Sequence, residues 1–365
     1  MKRFAVVLLS VLLVLLPGCT KPVTESGVQS TESGMAESTA EDLSSTESGA
    51  ENTAEKAEHI TRTLSSGVMV DADVYVPESM QKSALAEMRG QGQLIDYEEL
   101  KSLFCSGKTI TEEGEEPWEM VTPGAMEAVG KYVSTQDGDY LQRICGNTFY
   151  YMTERDIQDI EDLTIYETGK NLDFASIEET DKTIRDIAEK LNIAVGKGVC
   201  YTIDTSSMPH YIFQYDLLVN GMPLGKFDGG SYSDNVFTPG TYLTAVLDED
   251  GIRHFDVSYV LKETETGDAQ RVLTLDEALD KVDEKYNSII MEGDYYINDI
   301  QMAYTPIKTD DTKIVRLIPV WYFQTTHQIL LPDKSGTGEI MLPQDGYILI
   351  NALDGTELLH ENGDI

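Results

Sequence analysis

The chain has 365 residues, with 64 acidic and 27 basic side chains and a formal charge of -37. A hydrophobic fraction of 41% and a charged fraction of 25% suit a folded globular protein, and the length suits two domains. So large an acid surplus argues against nucleic acid, whose phosphates need clustered Lys and Arg, and disfavours adsorption to anionic lipid.

The chain opens with a basic pair, Lys2 and Arg3, and a run from Ala5 to Leu16 that is apolar except for Ser10. That run is too short for a membrane span and has the length of a secretory signal core. Leu16-Pro17-Gly18-Cys19 follows it and resembles a bacterial lipobox, in which the cysteine is lipidated and becomes the new N-terminus. On this reading residues 1–18 are a signal peptide and acyl chains on Cys19 hold the protein to the outer face of the cell membrane. The alternative is an ordinary signal peptide with a chance cysteine.

Residues 19–60 read as a tether. Thr20 to Glu58 contains no aromatic residue, repeats Thr-Glu-Ser-Gly at Thr24, Thr31 and Thr46, and cannot bury enough apolar surface to offset its ordering entropy. As a flexible coil it reaches roughly 35 Å. It is either a spacer that lifts the folded part off the membrane or low complexity without a role.

The folded part is expected from about residue 61. Val68, Val70, Ala72, Val74 and Val76 alternate with Met69, Asp71, Asp73 and Tyr75, which predicts a strand with one buried face. A helix is expected from about Ser79 to Met88, with Met80, Ala84 and Met88 on one face, and a second from Tyr97 to Phe104. Gly107 to Gly124 reads as an acidic loop containing Trp118. Tyr140 to Thr153 reads as extended, with a turn at Gly146 and Asn147.

Two capping boxes mark later helices. Ser176-Ile177-Glu178-Glu179 precedes Ile184, Ile187, Ala188 and Leu191, and Thr274-Leu275-Asp276-Glu277 precedes Ala278, Leu279, Val282 and Tyr286. Strand-rich segments follow each. After the first come Tyr211 to Val219, the turn Asn220-Gly221, and Tyr242 to Leu247 running into Asp248-Glu249-Asp250-Gly251. After the second come Ile314 to Phe323, a turn at Ser335 to Gly338, and Tyr347 to Ala352 running into Asp354-Gly355. The shared order suggests a duplicated helix-then-antiparallel-sheet unit. Leu317, Pro319, Trp321 and Phe323 alternate with Ile318, Val320 and Tyr322, so that strand is apolar on both faces. Pro319, which cannot donate, belongs at an edge or bulge, and Trp321 belongs in the core.

On these residues the stretch Leu273 to Leu359 resembles the PepSY-like domain and the C-terminal domain of YycI-type regulators of cell-wall sensor kinases. The match lies in Thr274-Leu275-Asp276-Glu277-Ala278-Leu279, Ile318-Pro319-Val320-Trp321 and Ile350-Asn351-Ala352-Leu353-Asp354-Gly355-Thr356. Phe213 to Pro223 and Asp250-Gly251-Ile252 resemble the preceding repeat. The resemblance implies a binding role, in peptidase inhibition or membrane signalling, and transfers no functional residue. Those regulators have a transmembrane helix where this chain has a lipobox.

Candidate chemistry is sparse. The five histidines, His59, His210, His254, His327 and His360, are scattered, with no His-Glu-x-x-His or Cys-x-x-Cys pattern, so no metal or cofactor is expected. Cys105, Cys145 and Cys200 allow at most one bridge, with Cys145–Cys200 or Cys105–Cys145 as pairings, or are small buried hydrophobes. Asp71/Asp73 and Asp248/Glu249/Asp250 could take Ca²⁺ but are better read as solvated turns. Ser79-x-x-Lys82, Ser233-Asp234-Asn235 and Lys334-Ser335-Gly336 follow the motif order of penicillin-recognising serine enzymes, in which Ser79 would be the nucleophile and Lys82 its activator one helical turn away.

The sequence thus predicts an α+β fold of duplicated helix-plus-antiparallel-sheet units behind a disordered tether. Residues 61–265 form an N-terminal domain, with its repeat-like unit from about 174, and residues 266–365 a PepSY/YycI-like domain. The expected role is an extracytoplasmic, membrane-anchored lipoprotein with lipid on Cys19, binding an envelope protein partner without catalysis. The alternative is an envelope hydrolase of the serine type above.

Overall fold

In the computed structural model, residues 58–117, 124–155, 167–204, 208–225, 241–289, 293–311, 313–332 and 339–358 are described. The signal core, Cys19 and nearly all of the tether lie outside them. Val68, Val70, Ala72 and Val74 are buried while Asp71 and Asp73 face water, so the alternation in this segment produces a one-faced strand. It is β2 (Met69–Tyr75), paired with β1 (Glu58–Thr63), and the first described strand begins three residues before the expected 61. The predicted helix at 79–88 is absent. One 3-10 turn, Glu78–Met80, leads into strand β3 (Ala84–Gly92). Met80, Ala84 and Met88 are spaced by four, which suits a strand face as well as a helix face, and Gly90 and Gly92 weaken the helix.

Helix α1 (Tyr97–Phe104) forms as expected. The Asp96 side chain accepts from the amides of Glu98 and Glu99, and Tyr97, Leu100 and Phe104 are buried. The acidic stretch read as a loop holds strand β4 (Ile110–Pro117). Its Glu113 and Glu115 lie against Lys101 and Lys131, so neighbouring cations make the strand tolerable there. The strands β5 (Val129–Thr135), β6 (Tyr140–Ile144), β7 (Thr148–Met152) and β8 (Glu167–Thr168) follow.

Both capping boxes close. Ser176 and Glu179 start α2 (Ile177–Lys190), and Thr274 and Glu277 start α3 (Leu275–Asn287). Between them run β9 (Val195–Ile203), β10 (His210–Val219), β11 (Met222–Pro223), β12 (Tyr242–Asp248), β13 (Gly251–Ser258) and β14 (Leu261–Arg271). The β10–β11 hairpin turns on Asn220 and Gly221, both at positive φ (51° and 73°), the conformation a two-residue hairpin needs. After α3 come three long strands, β15 (Tyr295–Lys308), β16 (Ile314–Pro332) and β17 (Glu339–Asn351). The expected turn at Ser335 to Gly338 lies outside the described residues.

Among the described residues the fold is mostly β: 55% strand against 16% helix, in two large sheets. This corrects the α+β expectation. The strands after each helix do not close into a unit of their own but are absorbed into larger sheets. The seven-stranded sheet runs β1-β2-β15-β16-β3-β14, with β17 also on β16; β2 and β15 are parallel. The ten-stranded sheet runs β4-β5-β6-β7-β13-β12-β10-β9-β8, with β11 on β10. Strands as long as β15 and β16 (14 and 19 residues) offer hydrogen-bonding edges that a three-stranded meander leaves open, and β2 and β3 fill them. The described residues all fall in one compact unit, and the boundary expected at 265–266 falls inside β14.

One continuous core runs beneath both sheets. Helix α1 packs on β6, α2 on β9 and α3 on β17. Phe104 of α1 meets Phe149 and Phe255 with ring centroids 6.0 and 5.4 Å away. A smaller cluster, Ala303, Ile307, Ile318, Val320 and Leu349, fills the other face of the seven-stranded sheet, so β16 is apolar on both faces as expected. Pro319 sits where β3, last paired at Leu317, gives way to β17, first paired at Val320. Its carbonyl accepts from the Ala352 amide (2.8 Å), and the missing N–H falls at that junction, where it breaks no ladder.

Candidate functional site

The acid clusters are neutralised by the protein itself. His59 bridges Asp71 through Nε2 (2.9 Å) and Asp73 through Nδ1 (2.8 Å), and these hydrogen bonds raise its pKa. At the β12–β13 turn, Arg155 Nη1 lies 2.9 Å from Asp248 and 2.8 Å from Asp250, with Arg253 Nε 3.9 Å from Asp248. Among the described residues no group of His, Cys, Asp and Glu converges as a metal site. Asp299 of β15 stands in cross-strand register with Asp73, which is in turn opposite His59. Burial, and then the Asp73 charge, push its carboxyl up to about 6.

The remaining sequence candidates separate. No disulfide joins Cys105, Cys145 and Cys200, so neither pairing forms, and burial pushes the Cys200 thiol up to about 12. Ser79 lies in the 3-10 turn and Lys82 beyond it, so the α-helical turn that would join nucleophile and activator is missing. Ser233, Asp234, Asn235, Lys334 and His360 lie outside the described residues. Trp321 is buried (5% exposed) and its Nε1 donates to the Leu273 carbonyl at 2.9 Å.

Trp321 also forms the floor of a cleft. β3 and β14 diverge from β16 beyond Met88, and the end of β2, the 3-10 turn and the start of α3 close around the gap. The cavity measures about 580 Å³, with Val76, Met80, Leu273, Met302 and Trp321 as apolar lining. A second cavity of about 320 Å³, with Ala84, Ala86, Met88, Met222 and Tyr304 in its wall, adjoins it, and Lys82 lines both. Volume and lining fit a small recognition site, and methionine walls adapt their shape.

Most polar groups of this cleft are fastened to the fold. Gln81 Nε2 donates to the Val76 carbonyl at 2.9 Å. Arg271 Nη2 reaches both carboxylate oxygens of Glu277 at 2.6 and 2.8 Å, and that pairing, with the Thr274 amide, holds the Glu277 carboxyl below the usual range. The Tyr304 hydroxyl donates to the Ala86 carbonyl at 2.8 Å, and burial pushes its pKa up to about 12. Lys82 is exposed, and its ammonium has no ion-pair or hydrogen-bond partner among the described residues. Sequence reading missed this site because its wall comes from segments more than 200 residues apart; Lys82 drew notice only through Ser79-x-x-Lys82.

No described helix is long and apolar enough to cross a membrane. No protein-family model and no curated protein matches the chain. Among solved structures, the chain is similar to an uncharacterized protein from Eubacterium rectale ATCC 33656, whose crystal structure was determined at 1.45 Å. The TM-score is 0.66 at 15% identity, over 83% of this chain and 94% of that one. At that identity the likeness shows a shared fold and nothing about activity.

Proposed function

We propose that this chain is an extracytoplasmic lipoprotein, anchored through Cys19, whose folded unit binds an envelope protein partner without catalysing a reaction. One observation carries the binding part: a cleft whose polar groups are mostly committed to the fold, leaving an apolar floor and one cation without a partner among the described residues. A preformed lining with few open polar groups suits recognition. The signal core and the lipobox-like Leu16 to Cys19 support the anchor. The resemblance of Leu273 to Leu359 to PepSY-like and YycI-like domains supports peptidase inhibition or envelope signalling as the outcome of binding.

The test has two arms in intact cells. Cys19→Ala should move the protein out of the lipidated membrane fraction; unchanged fractionation and mass contradict the anchor. A photo-crosslinking residue at exposed Ser83, on the cleft rim, should give one discrete protein adduct. No adduct from a folded, correctly located chain contradicts the binding reading.

A further inference from the structure

The identity of what enters the cleft can be taken further, on the reading that the cleft is a recognition site. The lining changes character along its length. Val76, Met80, Met302 and Trp321 form an apolar floor, and Met80, Met302 and Trp321 are themselves 1–5% exposed, so the floor is rigidly backed. Lys82 stands at the junction of the two cavities. Its ammonium has no carboxylate partner among the described residues, in a chain with 64 acids and 27 bases. Arg271, the other cation of the lining, is already neutralised by Glu277.

The backbone adds a third feature. β3 pairs with β16 only from Met88 to Gln91, although its pairing with β14 extends from Gly92 to Ala84. Along Ala84 to Glu87, therefore, no strand runs on the β16 side among the described residues, and the Tyr304 hydroxyl takes only the Ala86 carbonyl there. A stretch of strand edge beside an apolar pocket and a cation is the set of groups that holds an extended peptide end: edge for the main chain, pocket for the side chain, cation for the carboxylate.

We infer that the cleft captures the free carboxy terminus of a partner polypeptide that ends in an apolar residue. Lys82 faces the terminal carboxylate, and the last side chain sits over Met80, Met302 and Trp321. The acid surplus of the chain sharpens the choice. An acidic peptide would be repelled everywhere except where Lys82 offsets its one essential negative charge, so the best ligand carries that charge alone.

Comparing a peptide acid with its amide isolates that charge. The full chain in lipid nanodiscs, carrying Trp118→Phe so that Trp321 is its only tryptophan, is titrated with an N-acetylated alanine-rich pentapeptide ending in leucine. The peptide is used with a free carboxylate and as its C-terminal amide, and Trp321 emission is the readout. Saturable binding of the acid, weakened about tenfold or more in the amide, is expected. Lys82→Met should abolish the discrimination and Lys82→Arg should retain it. Equal binding of acid and amide, discrimination that survives Lys82→Met, or no binding of the acid at millimolar concentration overturns the inference. If the Ser83 crosslink still finds a partner, the inference alone has failed and the binding reading stands; if that also fails, both fall.

Discussion

The row His59–Asp73–Asp299 across β1, β2 and β15 makes a pH dependence whose sign can be worked out. Asp299 is partly buried beside another carboxylate, and its folded pKa is about 6 against an ordinary 3.8. Well below pH 3.8 the group is protonated in both folded and unfolded chain and costs nothing. As pH rises the unfolded chain ionises first, so the folded state loses ground until pH passes 6, above which the penalty is complete. The gap corresponds to about 3 kcal/mol, at roughly 1.4 kcal/mol per tenfold change in proton affinity. Residual solvent screening brings it to about 2 kcal/mol. Asp299→Asn keeps an acceptor in place and removes the charge. It should stabilise the chain by about 2 kcal/mol at pH 7, raising Tm by roughly 4–8 °C, and by only about a fifth of that at pH 4. Thermal melts of parent and variant from pH 4 to 7.5, read by circular dichroism, test this. A difference that does not vary with pH, or a variant less stable at pH 7, would refute the reasoning.

Three other perturbations follow from the same geometry. Arg155→Ala leaves the buried Asp248 (5% exposed) with the Asp250 amide at 2.9 Å and, as its nearest cation, Arg253 at 3.9 Å, and should cost about 3 kcal/mol, measured by urea unfolding; the parent, its acids already paired, should melt unchanged in millimolar Ca²⁺. Ser176→Ala and Thr274→Ala each remove a closed capping box and should each cost about 1 kcal/mol, additively, since the two helices cap independently. Gly198→Ala would place a Cβ 2.5 Å from Cε1 of Tyr215, so a loss of about 1–3 kcal/mol is expected in thermal melts, and a neutral result would contradict the packing of that ring on the strand.

Local signals in the sequence translated well where one residue type had one physical use. The Val68 to Val74 alternation, the Asn220-Gly221 turn and both capping boxes appear as expected, because each is decided within a few residues. Pro319 lies at neither an edge nor a bulge but in an interior strand, at the gap between β3 and β17 where no donor is needed. The failures lie where partners far along the chain decide. Ala84 to Gly92 is a strand because β14 and β16 flank it, not because of its own preference. β4 and β14 are so polar that only their place at the ends of the two sheets explains them: an edge strand needs one partner and tolerates charge. The duplicated-unit reading took the order of elements for their association, whereas pairing with β2, β3 and β14 fixes the seven-stranded sheet. The cleft was illegible for the same reason, since Met80, Leu273, Met302 and Trp321 meet only after that sheet is assembled.

Hydrogen exchange of the full chain with and without the leucine-ended peptide acid tests the cleft most directly. Slowed exchange confined to Lys82 through Met88, with the β4 edge and the β12–β13 turn unchanged, is the result this account predicts. Protection at those remote sites instead, or no protection at peptide concentrations that saturate the Trp321 signal, would contradict it.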